Sequence, residues 1–217
     1  PYYGKGSGTL QYALGANANT IKNVILGNAA DSIANALELD TALPEDRQGT
    51  LYLDNDQLNG FELGALKVAA TEGITVDNAL QVAPAGNITL YGTDVSINAD
   101  LSARAGTIHA GNTLTQITPN GMQSVVLNGN HSVGTVQVAE GVTLDASGLW
   151  SNLLLDPQST SNLPYQNGGS ISIRSSGDVN LGAGSLIDVT SGAALQTDGS
   201  LQGARGGNVT LAASDGR

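Results

Sequence analysis

The residues whose types and spacing come closest to a known chemistry lie between Asp54 and Gly60 of this 217-residue chain. Asp54, Asp56 and Asn59 supply oxygen atoms at short intervals, and Gly60 permits a sharp turn, as in the first part of a calcium-binding loop. The stretch lacks the third acid and the distal bidentate glutamate of such a loop. We therefore expect an ordinary Asp/Asn turn, with Asp54 and Asp56 as weak candidates for metal ligands.

Paired carboxylates are the second chemistry to consider, because glycoside hydrolysis needs two acids at a defined separation. The local acid pairs all lie in the first quarter of the chain, and Arg47 is the basic residue beside them. Solvated acids in turns explain this pattern, so we predict that the protein is not an enzyme. The pairs are Glu38/Asp40, Glu45/Asp46 and Asp54/Asp56.

His109 and His131 are the two histidines of the chain. His109 follows Ile108, which we expect to point inward, so the alternation along a strand places His109 on the outer, solvated face. Two histidines without a clear third ligand make a weak metal site. No Gly-x-Ser-x-Gly turn supports a nucleophilic serine. We therefore predict no catalytic residue, no metal and no cofactor.

Trp150, the single tryptophan, and Tyr165 lie in a segment, 149–167, that contains two prolines and interrupts the surrounding sequence pattern. Aromatic rings bind sugars and anchor protein partners. The alternative is that Trp150 covers an apolar patch, with the leucines at 153–155 beneath it. We favour this alternative and keep Trp150 and Tyr165 as weak candidates for ligand binding.

The overall charge narrows the classes of partner. Eight Lys and Arg against 19 Asp and Glu give a net charge of -11, which argues against a nucleic-acid or anionic membrane partner. The chain has no cysteine, which excludes disulfides and thiolate chemistry. No apolar run reaches the roughly 18 residues of a transmembrane helix. Because the sequence starts at Pro1 without a signal-like segment, we expect a monomeric piece of a longer protein.

Short alternating strands, each introduced by glycine, recur along the chain. A second alternating strand follows each of several of them, and in places a third, so one turn takes about 20 residues and three strands. This spacing, together with the lack of clean two-residue hairpins, argues against a sandwich or barrel. The glycine-led strands start at Gly86, Gly106, Gly134, Gly169 and Gly207.

We therefore predict an all-β fold, a parallel β-helix in which each strand pairs with its equivalents in the adjacent turns. About ten turns would give a rod on the order of 50 Å long, with glycines at the corners. Residues 1–48 are less regular and form a first coil or an insertion, and residues 49–217 form the β-helix with an excursion at 149–167. The predicted inward pairs are Ile88/Leu90, Val95/Ile97, Val136/Val138, Val142/Leu144, Ile171/Ile173, Val179/Leu181 and Val209/Leu211, and the predicted outward residues are Thr89, Ser96, Gln137, Thr143, Ser172, Asn180 and Thr210.

Several motifs resemble the filamentous-haemagglutinin-like exoproteins of two-partner secretion systems in Gram-negative bacteria. They are LDASGLW at 144–150, NGGSISIR at 167–174, GAGSLIDVTSGA at 182–193 and GGNVTL at 206–211. GTLYLD at 49–54, with LNGF at 58–61, extends the resemblance over most of 49–217. Because these motifs are repeats, they indicate fold and family more than activity.

The resemblance implies a right-handed β-helical shaft that an outer-membrane partner exports and that the cell displays or releases. The family's secretion domain has an Asn-Pro-Asn-Gly-like turn, whose nearest match here, at 118–121, has threonine first, so the resemblance places the chain inside the mature shaft. We expect a structural or adhesive segment, secreted or at the cell surface, without catalysis and serving adhesion, biofilm or matrix interaction. The alternatives are a carbohydrate-binding module for surface glycans and a β-helical polysaccharide lyase or hydrolase.

Overall fold

The computed structural model describes residues 9–12, 22–28, 48–118, 121–127, 133–154 and 167–215. Most of these residues lie in strands, which confirms the all-β class, and the described part contains one helix, α1 (Asn55–Gly60). The strands are β1 (Thr9–Tyr12), β2 (Asn23–Gly27), β3 (Thr50–Asp54), β4 (Ala65–Val76), β5 (Leu80–Gln81), β6 (Asn87–Ile97), β7 (Leu101–Ser102), β8 (Thr107–Gly111), β9 (Thr113–Thr118), β10 (Gly121–Val126), β11 (Thr135–Val138), β12 (Thr143–Asp145), β13 (Ser151–Asn152), β14 (Ser170–Ser175), β15 (Val179–Leu181), β16 (Leu186–Asp188), β17 (Ala193–Leu195), β18 (Leu201–Gly203) and β19 (Asn208–Ala213).

These strands form one large sheet and three small ones. The main sheet runs β19-β14-β8-β6-β4-β2-β3, with β1 beside β4, β11 beside β6 and β15 beside β11. A four-stranded sheet runs β16-β12-β7-β5, and a three-stranded sheet runs β13-β17-β18. β9 and β10 pair antiparallel in a sheet of two, as do β17 and β18 within theirs, whereas the other described pairs are parallel.

The chain visits the larger sheets in a fixed order. It passes from β11 in the main sheet to β12 in the four-stranded sheet, β13 in the three-stranded sheet and back to β14 in the main sheet. It repeats this circuit from β15 through β16, β17 and β18 to β19. Strands that are far apart in sequence therefore lie side by side.

The spacing between paired strands is less even than the sequence predicts. Asn87 and Thr107 are 20 residues apart, whereas the hydrogen-bonded residues Asp100 and Thr143 are 43 apart. The larger spacing arises because the β9–β10 hairpin intervenes between β7 and β12. The seven strands of the longest path span about 30 Å at the usual strand separation, so the described residues form a shorter stack than the ten turns predicted.

Two strands are longer than the sequence suggests. The predicted strands at Gly86 and Asp94 run on as one, β6, which pairs with β4 over almost its whole length. The pairing shifts between Ala70 and Gly73, where a bulge or irregularity interrupts the register without ending either strand.

The alternation of inward and outward residues is confirmed along the middle of the stack. Ile88 pairs with Ile108, and Ile108 with Ile171, so their side chains form one buried column. Residues predicted to point outward, such as Thr89 and Gln137, are half-buried or exposed. The predicted inward residues that are buried are Ile88, Leu90, Val95, Ile97, Val136, Val138, Val142, Leu144, Ile171 and Ile173.

The predicted burial is wrong at one edge. Val209 and Leu211 pair with Ile171 and Ile173, so they lie on the inner side of β19, yet they are 46% and 48% exposed. Leu181 is also exposed, and Val179 is half-buried. β19 and β15 are edge strands, so no described strand covers their side chains. Alternation fixes the side on which a residue lies, but burial also requires a neighbour.

The corner glycines act by close approach. A Cβ atom on Gly106 would overlap the carbonyl oxygen of Gly86, and one on Gly207 would overlap that of Gly169. The positive φ angles at these corners belong instead to Ala85 (φ 61°) and Ala105 (φ 54°). Glycine is thus required here because the neighbouring backbone segments approach too closely for a side chain.

Candidate functional site

The Asp54–Gly60 stretch forms a helix, so the prediction of an ordinary turn is wrong. Asp54 is the N-cap of α1, and its Oδ1 accepts hydrogen bonds from the backbone N–H of Asp56 at 2.9 Å and of Gln57 at 3.4 Å. The Gln57 amide nitrogen donates back to Asp54 Oδ2 at 3.1 Å. The carboxylate of Asp54 therefore caps the N-terminus of α1.

α1 also binds the edge of the four-stranded sheet. Asn59 Oδ1 accepts from the backbone N–H of Gln81 at 2.8 Å, and Asn59 Nδ2 donates to the carbonyl of Ala79 at 3.0 Å. The side chain of Asn55, fully buried, donates to the carbonyls of Asn78 and Leu26. A side-chain amide has the same donor and acceptor as a peptide group, so Asn59 replaces a neighbouring strand.

The acids do not assemble into a metal site in the part of the chain that the structure describes, where no group of three or more His, Asp or Glu is placed to hold an ion. The predicted pairs Glu38/Asp40 and Glu45/Asp46 lie outside the described residues, as do His131 and Tyr165. None of the described helices is long and apolar enough to cross a membrane.

His109 points outward as predicted, but the prediction that it is solvated is wrong. Burial, followed by the nearby charge of Arg174, lowers the pKa of His109 to about 4, against the smaller opposing effect of a hydrogen bond with the Thr113 backbone. Its Nε2 atom is buried, without a hydrogen-bond partner among the residues that the structure describes. The β9–β10 hairpin starts at Thr113, whose backbone is hydrogen-bonded to His109, and alternation along β8 could not predict a contact of that kind.

Trp150 is 63% exposed, so the interpretation that it covers an apolar patch is wrong. The residues that turn inward are Leu149 and Leu153, while Trp150, Asn152 and Leu154 are exposed. Ser151 and Asn152 form β13 and pair with β17, so the predicted excursion begins within the sheet system. Its residues 155–166 lie outside the described part.

A basic side chain lies close to the segment that leads to Trp150. Arg104 Nη2 donates to the carbonyl of Gly148 at 3.1 Å, and Arg104 Nε lies 4.0 Å from Asp145 Oδ2. Asp145 Oδ1 accepts from the backbone N–H of Ser147 at 2.8 Å, which fixes the turn before Trp150. The result is an exposed aromatic residue on a backbone that its own neighbours hold in place.

Comparison with protein-family models, curated proteins and solved structures gives no match to this chain.

The sequence reasoning missed a buried polar cluster at the base of the hairpin. Asn112 Nδ2 donates to the carbonyl of Leu127 and to Ser176 Oγ, both at 2.7 Å, and Asn112 Oδ1 accepts from the Ser176 backbone N–H at 2.8 Å. Ser175 Oγ donates to the carbonyl of Gly134 at 2.6 Å. These bonds satisfy the backbone where the chain leaves and rejoins the main sheet. A sequence feature that could have indicated this cluster is Asn112, which directly follows the last residue of β8, Gly111.

Proposed function

We propose that this chain is a shaft segment of a secreted or surface-displayed exoprotein of a Gram-negative bacterium, of the filamentous-haemagglutinin-like kind that a two-partner system exports. The observation that carries the proposal is the stack of in-register parallel strands, in which Ile88, Ile108 and Ile171 lie side by side. Such a stack adds length without adding width, which suits a shaft. Its role is to hold an adhesive or effector region away from the cell, without catalysis.

The proposal includes a right-handed parallel β-helix with about 20 residues in a three-strand turn. Two observations support it. The chain visits the main, four-stranded and three-stranded sheets in the same order twice. Where no long segment intervenes, equivalent residues are 20 or 21 apart, as in the bonded pairs Asn87/Thr107 and Asp77/Asn98.

Mechanical resistance would follow from this arrangement. The interior strands of the main sheet, such as β14, have a hydrogen-bonded neighbour on each side. Separating two turns would break the bonds of a whole strand pair together and expose the buried columns. A shaft that transmits force needs this cooperative behaviour.

The experiment is single-molecule stretching of the chain between its termini. We expect the wild type to resist until many bonds rupture together, and Ile173→Asp, which places a charge in the buried column, to yield at lower force. Thr210→Lys, at an exposed outward position, is the matched control and should behave as wild type. Gradual extension of the wild type at low force would contradict a shaft.

A second candidate function, glycan binding, is favoured by the exposed row Trp150, Asn152 and Leu154. An indole face stacks on sugar rings, and the Asn152 amide could hydrogen-bond to hydroxyl groups. Trp150 is the single tryptophan of the chain, so its fluorescence would report on this row alone.

The test is binding of the chain to an array of surface polysaccharides, with Trp150 fluorescence titrated in the wild type and soluble products measured in the same samples. Trp150→Ala should abolish any binding. Phe61→Ala is the matched control, because Phe61 is equally exposed at 63% but lies after α1. Binding that survives Trp150→Ala would remove this candidate, and released product would instead favour the lyase or hydrolase alternative.

A further inference from the structure

The β9–β10 hairpin lies over the outer face of the main sheet and is attached by a few polar contacts. Arg174 Nη1 donates to Thr115 Oγ1 at 2.9 Å, and the Tyr91 hydroxyl donates to the carbonyl of Val125 at 3.5 Å. Tyr91 and Arg174 lie on the two strands that flank Gly111 of β8. The hairpin therefore crosses β6, β8 and β14.

His109 lies on the outer face of β8, two residues before Gly111. Thr89 of β6 and Ser172 of β14 are its register partners, and both are half-buried. The buried Nε2 atom of His109 has no hydrogen-bond partner among the side chains and backbone that the structure describes. A second proton on this ring would therefore be placed where the described residues offer its N–H no acceptor.

The charged groups around this position would not balance an imidazolium. Arg174 of β14 is the nearby charge, and Lys67 of β4 lies in the same outward row, beyond Thr89. Tyr91 of β6 is kept neutral, because burial raises its pKa, and Asp94 is engaged by the backbone and hydroxyl of Thr135. The hairpin itself, residues 113–127, contains no titratable side chain. Protonated His109 would thus face positive charge.

We propose that the β9–β10 hairpin is an acid-released flap, which protonation of His109 detaches from the outer face of the main sheet. The anchor at Asn112 is not titratable, so the base of the hairpin stays attached while the ribbon lifts. The release would uncover the outer face at β6, β8 and β14 without disturbing the buried columns on the inner face. This inference is independent of the proposed shaft function.

The direction of the effect follows from proton linkage. With the hairpin closed, His109 has a pKa of about 4, and with the hairpin open it would return to its ordinary 6.5. The closed form is therefore fully favoured above pH 6.5 and is lost progressively as the pH falls towards 4. The ratio of open to closed molecules rises to a limit of about 300-fold across this window.

The experiment is hydrogen exchange of the backbone amides of β9 and β10 at pH 7.5 and pH 4.5, corrected for the intrinsic effect of pH on exchange. We expect the ratio of open to closed molecules, which sets the exchange rate, to be roughly 70-fold higher at pH 4.5 than at pH 7.5 from the same linkage. Amides of β14 should keep their protection. His109→Gln should remove the pH effect, whereas His131→Gln, which changes the other histidine, should leave it intact.

Three results would overturn the flap. They are hairpin protection that does not depend on pH, simultaneous loss of protection in β14, and a pH effect that persists in His109→Gln. If His109→Gln fails to fold, an NMR titration of the His109 ring in the wild type, run beside the exchange measurement, decides the matter. A ring that titrates near 6.5 would contradict the proposal, and so would a ring that is protonated while the hairpin amides keep their protection. Protonation below pH 6.5 that coincides with loss of hairpin protection would support it.

Discussion

Two edge strands, β5 of the four-stranded sheet and β19 of the main sheet, differ in how they are covered. α1 lies against β5, and Asn59 supplies the donor and acceptor that a further strand would have supplied. Leu80 of β5 is buried. β19 has no described neighbour beyond it, and Val209 and Leu211 are about half exposed. The same alternating sequence thus gives a closed core or an apolar surface, depending on the neighbour.

This difference teaches that the sequence repeat determines the face on which a side chain lies, whereas a neighbouring strand determines whether that side chain is buried and stabilises the fold. Leu211 and Ile173 occupy equivalent positions on neighbouring strands. Only Ile173 lies between two strands, β8 and β19. A substitution should therefore have a large effect at Ile173 and a small one at Leu211, and this contrast can be measured.

The largest expected effect compares Ile173→Asp with Leu211→Asp. An unpaired carboxylate in the buried column should lower the free energy of unfolding by about 4 kcal/mol or more. At the exposed edge the same change should remove less than about 1 kcal/mol. Urea unfolding followed by circular dichroism measures both. Equal losses would mean that burial does not distinguish the two positions.

The next effect tests close stacking at the corners. Gly106→Ala would place a methyl group against the carbonyl oxygen of Gly86, which should cost about 2–3 kcal/mol. Gly203→Ala in β18 is the control, because a Cβ atom there has no neighbour within 4 Å. Thermal unfolding of both variants provides the comparison. A neutral Gly106→Ala would contradict the close approach of the backbone at Gly106 to that at Gly86.

A smaller effect tests the edge of β5 that α1 covers. Asn59→Ala removes two hydrogen bonds to the edge of β5 and should lower stability by about 1–2 kcal/mol. Asn59→Asp keeps the acceptor for Gln81 N–H but loses the donor to Ala79. Its stability should therefore lie between that of the wild type and that of Asn59→Ala. The hydrogen-exchange rate of the Gln81 backbone amide should rise from the wild type through Asn59→Asp to Asn59→Ala. An unchanged rate in Asn59→Ala would show that α1 does not cap the edge of β5.

The smallest effect concerns the corner residue Ala105. Its backbone is left-handed, a conformation that costs a non-glycine residue about 1–2 kcal/mol and that glycine adopts without this cost. Glycine also makes the unfolded chain more flexible, and this offsets part of the gain. Ala105→Gly should therefore stabilise the protein by up to about 1 kcal/mol. Ala212→Gly in β19, where φ is not positive, should be neutral or destabilising. Thermal unfolding distinguishes these signs.

Local pattern was enough to predict the all-β class and the inward columns, because the period of two is a property of each strand by itself. It also contained an unused signal for α1, since Asp54 followed by Gln57 is typical of a capped helix start. It could not predict the burial of His109, because alternation along β8 does not show where the hairpin that begins at Thr113 lies. The exposure of Trp150 and Leu211 likewise depends on which neighbours the fold provides.

The most direct test of the central claim, in-register stacking of distant segments, uses the absence of cysteine from the chain. Ser172→Cys with Thr210→Cys places two thiols on paired residues of β14 and β19, at a separation that a disulfide can span. We predict that this pair joins on oxidation, with native circular dichroism. Ser172→Cys with Leu211→Cys, whose side chains lie on opposite faces, should stay reduced. Equal cross-linking of both pairs, or of neither, would contradict the register on which the shaft proposal rests.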